Sequence, residues 1–161
     1  MLSVPLRYLP VRLTKKERKQ QYKMLMKSRK LYKKQKYYTR KKLPSYKHQT
    51  SKHILKARRI YKLEKISPSK QLAKATGCTV KALKRIVSKG EGAYFSSGSR
   101  PNQTAQSWGI ARLASAVTGG KASAVDFKII EEGCDHKKKA YKMALRVKGK
   151  GRHRIPKTTI L

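Results

Sequence analysis

The sequence predicts a mostly α-helical protein: a small helical domain with a helix-turn-helix-like unit, flanked by extended basic N- and C-terminal arms. Basic side chains are concentrated at the two ends of the 161-residue chain. N-cap residues and glycines divide its middle into helix-length segments. No stretch alternates apolar and polar residues between turn signals, as a half-buried strand would. Three regions follow: a Lys/Tyr-rich basic arm with a capped helix (1–50), a compact helical domain (51–136) and a basic tail (137–161).

Charge is the dominant feature of the composition. The chain has 43 Lys and Arg against 7 Asp and Glu, a formal net charge of +36. Residues 1–65 carry 23 basic and 2 acidic side chains, residues 66–136 carry 10 and 5, and residues 137–161 carry 10 and none. Such a charge requires a polyanion or an acidic protein surface as partner. Nucleic acid is the commonest, because neutralised phosphates release their counterions, but composition does not separate the two.

The N-terminal region is expected to contain two helices. Thr14-Lys-Lys-Glu17 has the spacing of a capping box and opens a helix through Leu25 and Leu31. This run is so basic that we expect it to order on a partner. A second helix follows from Ser51, with an apolar face formed by Ile54, Leu55, Ala57, Ile60, Tyr61 and Leu63.

A tract between these helices interleaves aromatic and cationic residues, a pattern that suits phosphate contacts combined with base stacking. Its predicted binding residues are Lys33, Lys34, Lys36, Tyr37, Tyr38, Arg40, Lys41 and Lys42. The alternative is a solvated, disordered tail that happens to contain tyrosines.

The middle region divides into helices at its capping residues. Ser67-Pro68 predicts an N-cap followed by proline at the first helical position. Gly77 ends that helix, and Thr79 caps the next, which runs to Gly90. After a loop at 90–103, Thr104 caps a helix that contains Trp108, Ile110, Leu113 and Val117 and ends at Gly119-Gly120. A further helix carries Val125, Phe127, Ile129 and Ile130 to Gly133.

The C-terminal region starts with three cations, Lys137, Lys138 and Lys139, which are predicted to bind a partner. A short helical pattern follows, formed by Ala140, Met143, Ala144 and Val147. Residues 148–157 show no periodicity and are expected to form an extended tail.

The segment 69–89 resembles a helix-turn-helix. Ala73 is small where two helices would touch, Gly77 lies in the turn, and Leu83, Ile86 and Val87 supply the buried face of the second helix. In phage repressors of this type the second helix enters the major groove of DNA. The residues that would face DNA are Lys81, Lys84, Arg85 and Lys89. The alternative is that the unit is only a way of packing two short helices.

The Gly-rich segment Gly90-Glu-Gly-Ala-Tyr-Phe-Ser-Ser-Gly-Ser-Arg-Pro-Asn-Gln-Thr104 has two interpretations. Its glycines, hydroxyls and Arg100 could hold a phosphate or carboxylate ahead of a helix N-terminus. A structural turn whose Tyr94 and Phe95 fill the core is favoured, because Glu91 would oppose an anion and the ending of a P-loop is missing. Arg100 and, in the next helix, Arg112 are included among the predicted partner-binding residues.

The sequence shows no pattern typical of an enzyme. Glu131 and Glu132 are adjacent and face different directions on a helix, and the histidines have no metal-ligand spacing. We therefore expect no catalytic residues, metal, cofactor or small-molecule substrate. Cys78 and Cys134 are expected to be reduced thiols in a cytosolic compartment. The N-terminus lacks the features of a signal peptide, and no window is long and apolar enough to cross a bilayer.

Residues 38–134 resemble a small basic domain found in proteins of large DNA viruses of algae and amoebae (phycodnavirus- and mimivirus-like). The most specific match is the segment 90–115, from Gly90-Glu-Gly-Ala-Tyr-Phe through Ser-Arg-Pro-Asn-Gln to Trp-Gly-Ile-Ala-Arg-Leu-Ala-Ser115. It continues as Thr118-Gly-Gly-Lys-Ala-Ser-Ala-Val-Asp126. Weaker matches are Tyr38-Thr-Arg-Lys-Lys42, His53-Ile-Leu-Lys-Ala-Arg58 and Leu72-Ala-Lys-Ala-Thr-Gly-Cys-Thr-Val-Lys-Ala-Leu83. The resemblance implies a virion component and assigns no catalytic residues.

Together these observations predict a minor capsid (cement) protein whose basic arms bridge coat subunits. Its expected partners are the major capsid protein and other minor capsid proteins, with genomic DNA or an acidic membrane surface as further candidates. Its expected location is the virion capsid, assembled in the host cell cytoplasm. The alternative is a DNA-binding or genome-packaging virion protein that uses the helix-turn-helix-like unit and the basic tails.

Overall fold

The computed structural model describes residues 3–148 and 157–158. Within them lie eight α-helices, a 3-10 helix and one two-stranded sheet, so the mostly helical fold class is confirmed. The chain divides into two compact units, each built from separate stretches of sequence. Among the described residues, unit 1 comprises 3–49, 92–105 and 157–158, and unit 2 comprises 50–91 and 106–148. Residues 92–105, predicted to lie in the helical domain, thus belong with the N-terminal region.

Unit 1 contains strand β1 (Val4–Pro5), a 3-10 helix (Leu6–Tyr8), helix α1 (Lys15–Lys33) and strand β2 (Lys157–Thr158). The two strands pair antiparallel, with Val4 opposite Thr158. No sheet was expected from the sequence, because two-residue strands are too short to show alternation. The predicted extended course of residues 149–156 lies outside the described residues.

Helix α1 starts as its capping pattern predicts. The Thr14 side chain accepts a hydrogen bond from the Glu17 backbone N–H at 3.1 Å. Instead of closing the capping box, the Glu17 carboxylate accepts hydrogen bonds from the backbone N–H and hydroxyl of Ser45. The helix buries Gln21, Met24, Leu25 and Ser28. Residues 3–49 are therefore packed into a unit rather than extended, because they find partners within the unit at residues 92–105.

Unit 2 is helical throughout and contains the main core. Its helices are α2 (Lys52–Tyr61), α3 (Lys70–Thr76), α4 (Val80–Ser96), α5 (Ala105–Ala116), α6 (Lys121–Val125), α7 (Phe127–Gly133) and α8 (Lys139–Val147). The last residues of α4 and the first of α5 are assigned to unit 1. The largest fully buried side chains of this core are Leu72, Leu83, Ile86, Leu113, Val117 and Ile130.

Two predicted helix boundaries are wrong. Helix α3 is capped by Ser69, whose side chain accepts from the Leu72 N–H at 3.2 Å, so Pro68 precedes the helix. Helix α4 does not end at Gly90 but continues to Ser96. A Cβ on Gly90 would lie 2.6 Å from the Gly109 Cα, and one on Gly109 would lie 2.6 Å from the Val87 carbonyl oxygen. These glycines therefore allow α4 and α5 to approach closely within unit 2.

The helix predicted through Val125 to Gly133 is divided at Asp126. The Asp126 side chain is fully buried, whereas the neighbouring Val125, placed by the sequence inside the helix, is 58% exposed. Leu55, predicted on the apolar face of α2, is likewise 52% exposed. Ala57 and Tyr61 form the buried face of that helix, and burial raises the pKa of the Tyr61 phenol, which donates to the Val117 carbonyl.

The expectation of reduced cysteines is wrong, because Cys78 and Cys134 form a disulfide. Two backbone hydrogen bonds flank it: Thr79 N–H donates to the Gly133 carbonyl and Asp135 N–H to the Gly77 carbonyl, each at 2.8 Å. The turn between α3 and α4 is thereby joined to the end of α7. A separation of 56 residues gave no pairing signal in the sequence.

Candidate polyanion-binding surfaces

The exposed side of α1 is a continuous cationic face. Buried Gln21, Met24, Leu25 and Ser28 occupy one side of this helix. Because residues four apart lie on the same side of a helix, the opposite side carries the exposed cations Lys15, Lys19, Lys23, Lys27 and Lys30. From Lys15 to Lys30 this α1 face extends for about 24 Å along the helix. The site prediction omitted these lysines, although their spacing of three or four residues is visible in the sequence.

The chain reverses after α1 in a Schellman turn. Gln35 adopts a left-handed conformation with φ +60°. Its N–H donates to the Tyr32 carbonyl at 2.9 Å, and the Lys36 N–H donates to the Leu31 carbonyl at 2.9 Å, which satisfies the last carbonyls of the helix. The reversal places Tyr37 beside Tyr32, at the end of the helix that it follows.

Three aromatic rings of unit 1 meet at this turn. The ring centroids of Tyr32 and Phe95 are 6.5 Å apart with nearly parallel planes. The Tyr37 ring lies 5.1 Å from Phe95 and 6.2 Å from Tyr32. Tyr37 remains 70% exposed. We call Tyr32, Tyr37 and Phe95 the aromatic platform. The Lys/Tyr tract predicted Tyr37 as a binding residue, but no sequence signal connected it with Phe95.

The remaining residues of the tract separate into exposed and buried groups. Lys33, Lys34, Lys36, Lys41 and Lys42 are exposed, as surface contacts require. Tyr38 is partly buried, and the Lys27 ammonium lies 4.4 Å from its ring centroid.

Arg40 is a correction to the predicted site, because it is only 6% exposed. Its guanidinium donates to the Ser28 hydroxyl at 3.0 Å, the Tyr94 carbonyl at 2.9 Å and the Ser99 hydroxyl at 2.8 Å. It also lies 3.8 Å from the centroid of the Tyr94 ring. Burial lowers the pKa of Arg40, and these neutral acceptors replace the water it has lost. Arg40 therefore holds unit 1 together.

The second helix of the helix-turn-helix-like unit also separates an apolar side from a basic one. Gly77 ends α3 in a left-handed conformation with φ +81°, and the Thr79 hydroxyl accepts from the Ala82 N–H at 3.1 Å, as predicted. Ala82, Leu83, Ile86 and Val87 are buried. The outer side of α4 is a shallow surface lined by Val80, Lys81, Lys84, Arg85, Ser88 and Lys89. We call this the α4 face.

Two of the four cations on the α4 face have carboxylate partners. Arg85 lies 3.8 Å from the Glu132 carboxylate, with both side chains about half exposed. Lys89 lies 2.9 Å from the Asp126 carboxylate. Among the described residues no ion pair involves Lys81 or Lys84, which are exposed. These two lysines are the ones most available to a polyanion.

Arg112 also departs from its predicted role. Its guanidinium donates two parallel hydrogen bonds to the Asp126 carboxylate, each 2.8 Å long. Burial by itself raises the pKa of Asp126, but the hydrogen bonds from Arg112 and Lys89 outweigh it, so this pKa lies below its ordinary value. The Arg112 side chain is only 21% exposed. It is therefore engaged within unit 2 rather than presented to a partner.

The Gly-rich segment packs within the protein and binds residues 43–46 of unit 1. Gly90 and Gly92 lie inside α4, and Tyr94 is fully buried, as predicted for a core residue, although on a helix and not in a turn. Asn102, at φ +63°, accepts from the Leu43 N–H and donates to the Leu43 and Tyr46 carbonyls. The segment thereby fixes residues 43–46 within unit 1. Arg100 is exposed, as a surface contact requires.

At the start of α8, Lys137, Lys138 and Lys139 are exposed, as contact with a partner would require. The helix itself buries Ala140 and Ala144 in the core of unit 2. Residues 139–147, assigned by sequence to the basic tail, are therefore part of a packed unit.

Within residues 3–148 and 157–158, no three His, Cys, Asp or Glu side chains are grouped so that they could hold a metal ion. Across the same residues, no helix has the length and apolarity needed to cross a membrane.

Comparison with known proteins identifies a protein family. The model of a family of unknown function, DUF5824, matches residues 5–140, which is most of the chain. No curated protein and no solved structure matches it significantly.

Proposed function

We propose that this chain, which belongs to the DUF5824 family, is a non-enzymatic structural virion protein: a minor capsid (cement) protein that bridges coat subunits. The observation that carries the proposal is an excess of exposed, unpaired cations. Among the described residues, only three cations form ion pairs with carboxylates: Arg85, Lys89 and Arg112. The chain has 43 basic residues and 7 acidic ones. Such a surface repels itself unless an acidic partner covers it.

The two units supply the means of bridging. Unit 1 carries the α1 face, and unit 2 carries the α4 face and the exposed lysines 137–139. Each unit of the chain therefore has a cationic attachment surface of its own. In this proposal the surfaces bind acidic patches of the major capsid protein and of other minor capsid proteins, within a capsid assembled in the host cell cytoplasm. Genomic DNA or an acidic membrane surface would be the next partners to consider.

Stepwise disassembly of virions tests this location. The protein is followed by mass spectrometry through shell and nucleoprotein fractions, with nuclease added after the shell opens. We expect it to stay with emptied, nuclease-treated shells. If it leaves with the genome, the cement function is excluded.

Charge reversal tests which surface attaches. Lys19→Glu, Lys23→Glu and Lys30→Glu together reverse the α1 face, while Lys121→Glu, Lys128→Glu and Lys142→Glu change the net charge equally on exposed positions of unit 2. We expect the first variant to dissociate from shells at lower salt than the wild type, because exposed charge pairs are screened. The second should behave like the wild type. Equal effects of both variants would mean that only net charge matters.

A second candidate function is duplex DNA binding by the helix-turn-helix-like unit. The observation that favours it is the α4 face, where Lys81 and Lys84 are exposed directly after the capped turn. Helices in this position enter the major groove in known helix-turn-helix proteins, and lysines on them contact phosphates. Duplex binding of this kind is compatible with a virion protein that lies on the genome and also with one that lies in the shell.

Salt-dependent duplex binding tests the second candidate. If both lysines contact phosphates, Lys81→Ala with Lys84→Ala should reduce the slope of log K against log salt by about 1.8, at about 0.9 per phosphate. Lys121→Ala with Lys128→Ala is the matched control and should leave the slope nearly unchanged. Equal slopes for both double variants would exclude a specific role for the α4 face.

A further inference from the structure

We propose that the aromatic platform of unit 1 binds the bases of single-stranded nucleic acid, with Tyr37 as the stacking ring. Tyr37 is 70% exposed, and its ring is supported from within the protein by Phe95 at 5.1 Å and Tyr32 at 6.2 Å. A ring held by other rings loses little conformational freedom on binding. An exposed aromatic ring that is already oriented is what a base can stack on.

The platform is held in place by rigid parts of unit 1. Tyr32 lies in the last turn of α1, and Phe95 lies in the last turn of α4. The neighbouring Tyr94 is fully buried, and its ring meets Phe95 edge-on at 5.1 Å. The Schellman turn at Gln35 fixes the path to Tyr37 by two backbone hydrogen bonds of 2.9 Å. The three rings therefore do not depend on a long loop for their positions.

Exposed cations lie just before Tyr32 and between Tyr32 and Tyr37 in the sequence. Lys30, Lys33, Lys34 and Lys36 are exposed, and among the described residues no ion pair involves them. Lys33, Lys34 and Lys36 belong to the turn that carries Tyr37, so they can contact the phosphates of a strand whose base lies on the ring. This combination of an aromatic surface with backbone-tracking cations is typical of proteins that bind single strands without reading sequence.

Unpaired nucleotides fit this surface better than the other acidic partners. An acidic protein patch would need only the lysines and would leave Tyr37 without a role. In a duplex the bases are stacked on one another, so their faces are not available to a side chain without unstacking. The inference goes beyond the proposed function, since neither the cement function nor duplex binding by the α4 face uses the platform.

Binding of a dye-labelled deoxythymidine oligomer, followed by fluorescence anisotropy at about 150 mM salt, tests the inference. An abasic oligomer of equal length carries the same phosphates without bases. The full-length variants are Tyr37→Ala, Tyr37→Phe and, as a charge control, Lys34→Ala. Because Tyr37 is largely exposed, Tyr37→Ala should fold normally, which its thermal transition checks.

We expect the wild type to bind the thymidine oligomer more tightly than the abasic one. Tyr37→Ala should weaken thymidine binding by about 5- to 100-fold, with abasic binding unchanged and Tyr37→Phe close to wild type. Lys34→Ala should weaken both ligands alike. The inference is overturned if the wild type binds the two oligomers equally, or if Tyr37→Ala changes both or neither. None of these outcomes depends on virion location or on Lys81 and Lys84, so failure here is distinguishable from failure of the proposed function.

Discussion

At the scale of single residues, Asp126 and Arg40 show how this basic chain buries charge. Asp126 is buried against two cations, Arg112 and Lys89, whereas Arg40 is buried among hydroxyls, a carbonyl and an aromatic ring. A buried carboxylate is stabilised only if hydrogen bonds and charge replace its hydration. In a chain with 7 acidic residues, few carboxylates are available to buried cations, and Arg40 is satisfied by neutral groups instead.

Asp126→Asn is expected to destabilise unit 2 by about 2–4 kcal/mol, because it removes the charge that pairs Arg112 and Lys89 while keeping the side-chain shape. Urea unfolding of both proteins measures the difference. Glu131→Gln removes an exposed carboxylate from the next helix and should change stability by less than about 0.5 kcal/mol.

The pH dependence of this effect has a definite sign. Because the folded pKa of Asp126 is lowered, its stabilisation is present above the ordinary carboxyl pKa of about 4 and is lost as the pH falls through the folded value. The stability gap between wild type and Asp126→Asn should therefore be full at pH 7 and narrow below pH of about 4. A gap that stays constant down to acid pH would contradict the ion-pair explanation.

The sequence predicted the exposed lysines of the Lys/Tyr tract but not the burial of Arg40 within it. In a run where cations alternate with tyrosines, nothing local distinguishes the one cation whose acceptors lie elsewhere. Those acceptors, the Tyr94 carbonyl and the Ser99 hydroxyl, come 54 and 59 residues later. Arg112 was missed for the same reason, since its partner Asp126 lies 14 residues later, between α6 and α7.

At the scale of secondary-structure elements, most predicted caps were right, and the helix ends predicted at glycines were right at Gly77 and Gly133 but wrong at Gly90. Thr14, Ser51, Ser69 and Thr79 each accept a hydrogen bond from a backbone N–H of the first turn of a helix. Such caps act locally, so a sequence can show them. For α3, however, the sequence analysis chose Ser67 as the cap, whereas Ser69 is the cap in the structure. A glycine either ends a helix, as Gly77 does, or lets two helices touch, as Gly90 does. Only the partner, Gly109, decides between these outcomes.

The Schellman turn after α1 places a glutamine in the left-handed region. Gln35→Gly should stabilise the protein by about 0.5–1 kcal/mol, because glycine adopts this conformation without the steric cost of a Cβ. Thermal unfolding should show a higher midpoint. The control is Gln20→Gly, at an exposed position inside α1, which should lose about 1 kcal/mol. If both substitutions destabilise, the turn at Gln35 does not carry the strain assigned to it.

At the scale of the whole molecule, capping residues, glycines and the lack of alternation predicted the helical class, but the division of the chain into units was predicted only in part. The helix predicted from Ser51 placed a boundary after residue 50, close to the start of unit 2 at Thr50. It could not show that residues 92–105 return to unit 1, because a segment's composition does not reveal its packing partner. One experimental consequence concerns the tail: deleting residues 137–161 would also remove Ala140 and Ala144 from the core of unit 2. Substitution of exposed lysines is therefore the better test of surface charge.

The disulfide is a covalent constraint on unit 2. Cys78→Ala with Cys134→Ala should cost about 2–4 kcal/mol, since the bond closes a long loop between residues 56 apart. Chemical denaturation with and without a thiol reductant measures the effect. The wild type in reductant should approach the double variant, and the double variant should not respond to reductant. A wild type that loses no stability on verified reduction would contradict this prediction.

The discontinuous composition of unit 1 has a consequence for folding during synthesis. The N-terminal part of a chain leaves the ribosome first, so α1 and Arg40 emerge well before Tyr94 and Ser99 have been made. Until residues 92–105 have been made, the side of α1 that is buried in the finished protein stays uncovered by them. During that time the growing chain is a strongly charged polycation beside ribosomal RNA. We expect the nascent N-terminal half to associate with RNA and to be released only when the later segment allows unit 1 to close.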